Sequence, residues 1–269
     1  MAEALAEVAA APHVGKLVRG WRERRRLSQL QLALDAGVST RHLSFIETGR
    51  SRPSREMVLQ LAAQLEVPLR ERNQLLLAAG YAPIYGQRGL QDPEMGPVRE
   101  TLGLVLSGHE PYPAMVVDRH WGIVAANHPV SVLTEGAAPE LLEPPANVLR
   151  LALHPDGVAP RIINLPQLRG VLLQWLSRQA AATGDPALES LWQELSQLPG
   201  AGSSAPATEA VAVPLRIRWR DAELSFISTI TTFARATDIT VAELSIESFY
   251  PTDSATADAL REFAGEGCA

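Results

Sequence analysis

The chain has 269 residues, of which 46% are hydrophobic and 20% charged, a composition typical of a globular protein with room for two modest domains. Its net charge of −6 is unevenly distributed, because residues 12–90 carry +7 and residues 91–269 carry −11. The sequence has no apolar run of membrane-spanning length, and its single cysteine, Cys268, excludes an intrachain disulfide and a cysteine-based zinc site. We therefore expect a cytoplasmic protein with no membrane partner, in which a basic module that suits nucleic acid is joined to an acidic module.

The first eleven residues are rich in alanine and contain Glu3 and Glu7 without a basic residue, which argues against a secretory signal. We expect residues 1–11 to be a disordered lead-in. A first helix is predicted over residues 13–26, with apolar residues at helical spacing on its core side. The arginines on the rest of this helix either form a solvated face or contact phosphates.

A pair of short helices is predicted next. Ser28 is suited to cap the first of them, and Gly37 can take the positive φ that a sharp turn requires. Ser39 is suited to cap the second. The residues expected on the inward side of the first short helix are Leu30, Leu32, Ala33 and Ala36; those of the second are Leu43 and Ile46. Two further helices, about 54–65 and 69–79, complete an all-α five-helix domain over residues 12–80.

Two short helices joined by a glycine turn present the second helix to a DNA major groove, although any helical bundle can contain such a hairpin. The residues that distinguish this stretch are Leu27, Gln29, Leu32, Ala33, Gly37, Val38, Ser39, Leu43, Ile46, Glu47, Gly49 and Pro53. On these residues the stretch resembles the helix-turn-helix domain of the Xre/Cro phage-repressor family. The resemblance implies sequence-specific binding to double-stranded DNA.

The predicted DNA contacts divide into base reading and phosphate binding. Thr40, Arg41 and Ser44 lie on the outer face of the recognition helix, where they would reach base edges, although Arg41 could instead bind phosphate. Arg50 and Arg52 would hold phosphates, and the resemblance adds Gln29. The complete predicted set is Gln29, Ser39, Thr40, Arg41, Ser44, Phe45, Arg50 and Arg52.

Two residues of the recognition helix remain open to more than one interpretation. Phe45 could meet a thymine methyl group or pack against the neighbouring helix. Glu47 is predicted to be structural, because its carboxylate would repel phosphate, and Arg22 or Arg26 is its expected partner.

A linker rich in glycine and proline is predicted over residues 81–97, followed by a mixed α and β domain over 98–264 and a tail over 265–269. Helices are predicted at about 98–107, 127–134, 146–153, 166–182, 186–198 and 254–264. A flexible loop is predicted at 199–208. Strands are predicted at about 112–118, 121–126, 211–220, 223–233 and 240–250. This order predicts an α+β domain with an antiparallel sheet.

The second half carries a further resemblance. The segments concerned are YPAMVVDRHWGIVAAN, NVLRLALHPDG, GDPALESLWQEL, LSFISTITTF and VAELSIESFYPTDSAT. They resemble the ligand-binding domain of MmyB-like transcription regulators. The resemblance implies a PAS-like fold and a small lipophilic effector, with fatty acid as the ligand class to test first.

Candidate ligand-binding residues are aromatic or apolar side chains of the sheet and helices, and polar groups that could neutralise an acidic head group. The first group comprises Trp121, Trp175, Phe226, Ile230 and Phe233. The second comprises Arg150, His154 and Asn164. Any α+β domain buries such aromatic residues, and His154 suits a purely structural role in its turn equally well.

No enzyme motif is present, and no cofactor or metal site is predicted. The only lysine, Lys16, lies in the DNA-binding half, so a self-cleaving Ser-Lys protease has no base. The sequence therefore predicts a homodimeric, effector-responsive DNA-binding regulator. The alternative is a regulator whose second domain is a protein-interaction or dimerisation module without a small-molecule ligand.

Overall fold

A computed structural model describes residues 13–199 and 212–266 of the chain. Residues 13–88 and the segment Thr237–Ile239 form one compact unit, and the other described residues form a second. The predicted lead-in, almost all of the predicted loop at 199–208, and residues 267–269 of the predicted tail lie outside the described residues.

The first unit is helical. Three of its helices begin after a serine whose hydroxyl accepts a hydrogen bond from a main-chain N–H in the first turn, which confirms Ser28, Ser39 and Ser54 at helix starts. The helices are α1 (Val14–Arg24), α2 (Gln29–Asp35), α3 (Thr40–Glu47), α4 (Arg55–Gln64) and α5 (Leu69–Ala78).

Two glycines hold α3 in place. Gly37 has φ +61° and ends α2, so the chain turns sharply towards α3 as predicted. Gly15 of α1 faces the main chain at the end of α3, where a Cβ atom would collide with the carbonyl oxygens of Ile46 and Glu47. Because only glycine fits there, α1 lies directly against the C-terminal end of α3.

The prediction for Leu30 was wrong. Leu32, Ala33 and Ala36 are buried as expected, but Leu30 is 59% exposed. In an α-helix a residue two positions before Leu32 points to nearly the opposite side, so Leu30 and Leu32 cannot both face the core.

The second unit contains helices and one antiparallel sheet. Its helices are α6 (Gly96–Gly108), α7 (Val130–Thr134), α8 (Pro139–Leu142), α9 (Val148–Leu153), α10 (Leu165–Thr183), α11 (Pro186–Gln197), α12 (Ile239–Ala242) and α13 (Ser254–Glu266). Its strands are β1 (Ala114–Val117), β2 (Ile123–Ala126), β3 (Leu215–Trp219), β4 (Ala222–Thr232) and β5 (Ser245–Pro251). Short 3₁₀ turns cover Pro93–Met95 and Ala159–Arg161.

The strand order is β2-β1-β5-β4-β3, and every neighbouring pair is antiparallel. The early β1–β2 hairpin joins the three late strands through β1 and β5, so β5 is the central strand. In this register Met115 and Ile230 lie on either side of Glu247. The predicted α+β architecture with an antiparallel sheet is confirmed.

The two faces of the sheet pack against different helices. One face packs against α6, where Leu102 and Leu106 meet Val116 and Ile246. The opposite face belongs to a larger apolar cluster that includes residues of α7, α9, α10, α11 and α13. Residues of the sheet that contribute to this cluster include Met115, Val117, Ile217, Leu224, Phe226 and Phe249.

Three details of the second unit differ from the predictions. The expected strand over 240–250 begins only at Ser245, because residues up to Ala242 form α12; tertiary packing overrides the strand preference of Thr240 and Val241. The helical spacing of Leu168, Val171, Leu172, Trp175 and Leu176 predicts that all five face inward on α10, but Val171 is 37% exposed. The short helix α8 was not predicted, since four residues carry no usable periodicity.

Candidate nucleic-acid interface and ligand cavity

The outer surface of α3 carries the residues predicted to read DNA. Arg41 is exposed, whereas Thr40, Ser44 and Phe45 are half-buried. Leu43 and Ile46 are buried on the opposite side of the helix. The helix therefore presents one polar, positively charged side, which is the geometry required for insertion into a major groove.

Phe45 lies between two arginines. Its ring centroid is 5.3 Å from the guanidinium carbon of Arg41 and 5.9 Å from that of Arg50, both within cation–π range. The ring therefore restrains the guanidinium groups of the predicted base reader and the predicted phosphate binder.

Gln29 and Ser39 have roles within the fold. The Ser39 hydroxyl accepts a hydrogen bond from the main-chain N–H of His42 in the first turn of α3 at 3.1 Å. The Gln29 side-chain amide donates to Glu47 Oε2 at 2.8 Å, which fixes the start of α2 against the end of α3. Their contacts with DNA remain predictions.

Glu47 forms a buried ion pair with Arg22. Arg22 Nε and Nη2 donate to the two carboxylate oxygens at 2.7 and 3.0 Å, and Nη1 donates to the Leu27 carbonyl oxygen at 2.9 Å. The hydrogen bond with Glu47 raises the pKa of Arg22. Of the two partners predicted for Glu47, the structure has Arg22. The network ties α1, the α1–α2 connection and α3 together.

Arg52 is held against the end of α5. Its guanidinium donates to the carbonyl oxygens of Ala79 and Gly80 at 3.0 and 3.4 Å and lies 5.3 Å from the ring centroid of Tyr81. Arg52 thus has a structural role. Its contact with a phosphate remains a prediction.

The second unit contains a cavity between the helices and one face of the sheet, with a volume of about 110 Å³. An engineered cavity of roughly 150 Å³ binds benzene, so the space suits a small apolar group or a segment of a longer chain. Its lining is formed by Met115, Ile123, Leu133, Thr134, Val148, Leu149, Leu151, Ala152, Val158, Ile162, Leu168, Leu172, Val213, Leu215, Ile217, Ser228, Glu247 and Phe249.

The polar side chains of this lining are Thr134, Ser228 and Glu247. Glu247 is half-buried, and burial of its carboxyl group raises its pKa above the ordinary value, although a hydrogen bond with Ser228 acts in the opposite direction. The described lining contains no lysine, arginine or histidine. Glu247 therefore faces a mostly apolar space in which no described lining residue supplies a cation to pair with its carboxylate.

None of the eight residues predicted to bind ligand is among the residues that line this cavity. Trp121 and Trp175 contact each other edge to face, with ring centroids 4.4 Å apart. Phe226 is fully buried in the core, Ile230 is 46% exposed, and Phe233 packs with the cluster on the opposite face of the sheet.

The three polar candidates are engaged elsewhere. Arg150 makes two hydrogen bonds of 2.7 Å with Glu194. Asn164 bridges the main chain at Pro214 and Arg216, and His154 Nδ1 accepts a hydrogen bond from the Asp156 N–H inside its own turn. For all eight residues, ligand binding remains a prediction.

Glu247 was absent from the predicted site. The alternation along β5 separates Leu244 and Ile246 from Ser245 and Glu247, and a glutamate on the second face is ordinarily expected to meet solvent. Only the packing of helices across that face turns the position inward, so periodicity alone could not have identified it.

No described helix has the length and hydropathy needed to cross a membrane. Residues 98–263 match the family described as MmyB-like transcription regulator ligand binding domain. Residues 18–72 match the family described as Helix-turn-helix. No curated protein matched the chain significantly.

Proposed function

The chain belongs to the MmyB-like transcription regulators, and from that premise we propose that a small lipophilic effector occupies the cavity of the second unit and changes the affinity for an operator. The helix-turn-helix and the ligand-binding domain together make the protein a DNA-binding transcription regulator. The matched helix-turn-helix is a DNA-binding family and the matched second domain is a ligand-binding family; neither is described as catalytic.

The observation that carries the proposal is the apolar cavity inside the domain matched as ligand-binding. Its lining is aliphatic over most of its extent, with leucine, isoleucine and valine from α9, α10 and β3. A cavity lined mostly by aliphatic side chains suits apolar molecules. An aliphatic chain in the cavity, as in a fatty acid or another long-chain lipid, fits this chemistry.

In the DNA-binding unit, Thr40, Arg41 and Ser44 read base edges and Arg50 binds phosphate. Arginine suits guanine because its two donors match the two acceptors on the major-groove edge. Arg41 is the exposed cation on α3 itself, whereas Arg50 follows the helix on a loop. The Phe45 ring lies within cation–π range of both guanidinium groups.

The functional form is a homodimer that reads two half-sites. One copy of α3 covers too few base pairs for high specificity, and two copies related by a two-fold axis match a palindromic operator. Effector binding then shifts the population between conformations of different operator affinity.

A second candidate is a protein-interaction or dimerisation module that takes no small molecule. The observation that favours it is an exposed apolar surface on α6, where Leu104 is 72% exposed and Val105 is 41% exposed. Such a surface suits a protein partner.

Solvent extraction and mass spectrometry of the purified protein separate the two candidates. A lipophilic molecule should be recovered in near-stoichiometric amount, and adding it back should change operator affinity. Ala152→Phe, which fills the cavity, should abolish recovery, whereas Ala181→Phe on the exposed side of α10 should not. Absence of any bound molecule, with unchanged operator affinity after lipid addition, favours the interaction module.

A further inference from the structure

We propose that Glu247 determines the specificity of the cavity, and that it selects a lipophilic effector whose polar end is an uncharged alcohol or carbonyl group over a fatty carboxylate. This inference rests on the proposed function of the cavity as the effector site. It adds the chemistry of the effector's polar end.

Glu247 lies where an effector's polar end must bind. It is in the middle of the central strand β5, with Met115 opposite on β1, Ile230 opposite on β4 and Phe249 two positions along on the same face. These neighbours are apolar. The hydrogen-bonding side chains of the described lining are Glu247, its partner Ser228, and Thr134.

The cations on the elements around the cavity are directed elsewhere. Four arginines on α9, α10, β3 and the nearby 3₁₀ turn bond to a carboxylate or to main-chain carbonyl oxygens, one of which belongs to the lining residue Leu133. They are Arg150 with Glu194, Arg216 with Glu223, Arg169 with Leu195 and Ser196, and Arg161 with Val132, Leu133, Glu135 and Arg218. Arg178 and Arg218, the other arginines of α10 and β3, are exposed. Glu247 is the titratable side chain in the described lining.

This arrangement is unfavourable for a carboxylate ligand. A second negative charge beside Glu247 would be desolvated, and it would meet a like charge or require a proton of its own. The raised pKa of Glu247 favours its protonated form, which can donate a hydrogen bond through its hydroxyl. An alcohol or a carbonyl group can pair with that form and with Ser228 without any buried charge.

Calorimetric titration of the full-length protein with ligands of one chain length tests the assignment. The probes are octanol, octanal, octanoate and octylamine, at about pH 8, where octanoate is ionised and octylamine protonated. The wild type should bind octanol and octanal at least about tenfold more tightly than octanoate, which corresponds to one hydrogen-bonded polar group left without a suitable partner. Octylamine should also bind more weakly than octanol.

Glu247→Gln keeps the size and hydrogen-bonding capacity of the side chain and removes its ionisation. In this variant the affinity for octanoate should rise relative to that for octanol, so that the selectivity falls by about tenfold. The matched control is Glu189→Gln, because Glu189 is an exposed glutamate of α11 outside the lining. It should leave the selectivity as in the wild type.

The outcomes separate this inference from the proposed function. Octanoate or octylamine binding to the wild type at least as tightly as octanol overturns the role of Glu247 but leaves a lipophilic effector site in place. Unchanged selectivity in Glu247→Gln also overturns that role, since a merely structural glutamate would alter all affinities alike. If the wild type binds none of the four probes, the effector site and the role of Glu247 are both wrong.

Discussion

Each unit contains a glutamate that is buried or half-buried, and the surroundings of these two glutamates differ. Glu47 is bonded through both oxygens to Arg22 and also accepts a hydrogen bond from Gln29. Glu247 has Ser228 as its hydrogen-bond partner and faces an apolar cavity whose described lining has no cation. A fully partnered acid stabilises a fold, whereas an acid that lines an apolar cavity is positioned to meet a ligand.

The same contrast holds for the two cores. In the first unit the helices pack so closely that Gly15 leaves no room for a Cβ atom, and its exposed polar side chains are those suited to recognition. In the second unit, packing between the sheet and the helices leaves a cavity of about 110 Å³. The first unit therefore offers a polar surface for recognition, and the second offers an interior cavity.

Glu47→Gln should have the largest effect. It removes the charge that bonds to the Arg22 guanidinium and leaves only the more distant carboxylate of Glu23 at 3.8 Å, which should lower the free energy of unfolding of the first unit by about 3 kcal/mol. Chemical denaturation measures the change. Arg19→Gln, which breaks the exposed pair with Glu23 and leaves both acidic neighbours of Arg22 in place, is the control and should leave stability unchanged within error. Equal effects of the two substitutions would contradict the structural role of the buried pair.

Arg41→Ala should weaken operator binding by about 1–3 kcal/mol and relax specificity at one base pair. The reason is the loss of two directed hydrogen bonds to a base edge from the recognition helix. Binding to the operator and to random DNA of the same length should be compared. Equal losses on both would assign Arg41 to phosphate instead of a base.

Glu247→Gln should stabilise the second unit, opposite in sign to Glu47→Gln. The pKa of Glu247 is raised in the folded state, so the folded state holds its proton to higher pH than the unfolded state. Wild-type stability therefore falls as pH rises from the unfolded value through the folded value. The gain from Glu247→Gln should be small near pH 4 and should grow towards pH 8, where the wild-type carboxyl group must ionise inside the folded unit. Thermal unfolding across that range tests the trend, and a gain that shrinks with rising pH would contradict it.

Arg50→Ala should have the smallest effect. Loss of one phosphate contact should weaken binding to all sequences alike and reduce the slope of log affinity against log salt by about one. Titrations at several salt concentrations measure the slope. A sequence-dependent loss would instead show that Arg50 reads a base.

Much of the first unit could be predicted because its signals are local. Ser28, Ser39 and Ser54 cap helices, Gly37 takes positive φ, and Leu32, Leu43 and Ile46 are buried, as their spacing indicated. The error at Leu30 arose from counting an apolar residue as inward without checking its angle around α2.

The strands of the second unit could be predicted, but its cavity could not. Over residues 211–220 apolar residues alternate with Ala212, Pro214 and arginines, which predicts one inward face. In β3 the apolar residues Leu215, Ile217 and Trp219 do pack into one core cluster. Aromatic residues were favoured as ligand contacts, yet Phe226 fills the core and Trp121 bonds through its indole N–H to Gln179. Large side chains fill space, so a cavity is bounded by the aliphatic residues that leave space empty.

The sequence by itself determined the helix-turn-helix, the antiparallel sheet and the separation of a basic module from an acidic one, because caps, turns, periodicity and charge act over a few neighbouring residues. Only the tertiary structure decided that Glu47 pairs with Arg22 and that Glu247 faces a cavity. Their partners come from elements distant in the chain, and the burial of a charge depends on every element packed around it.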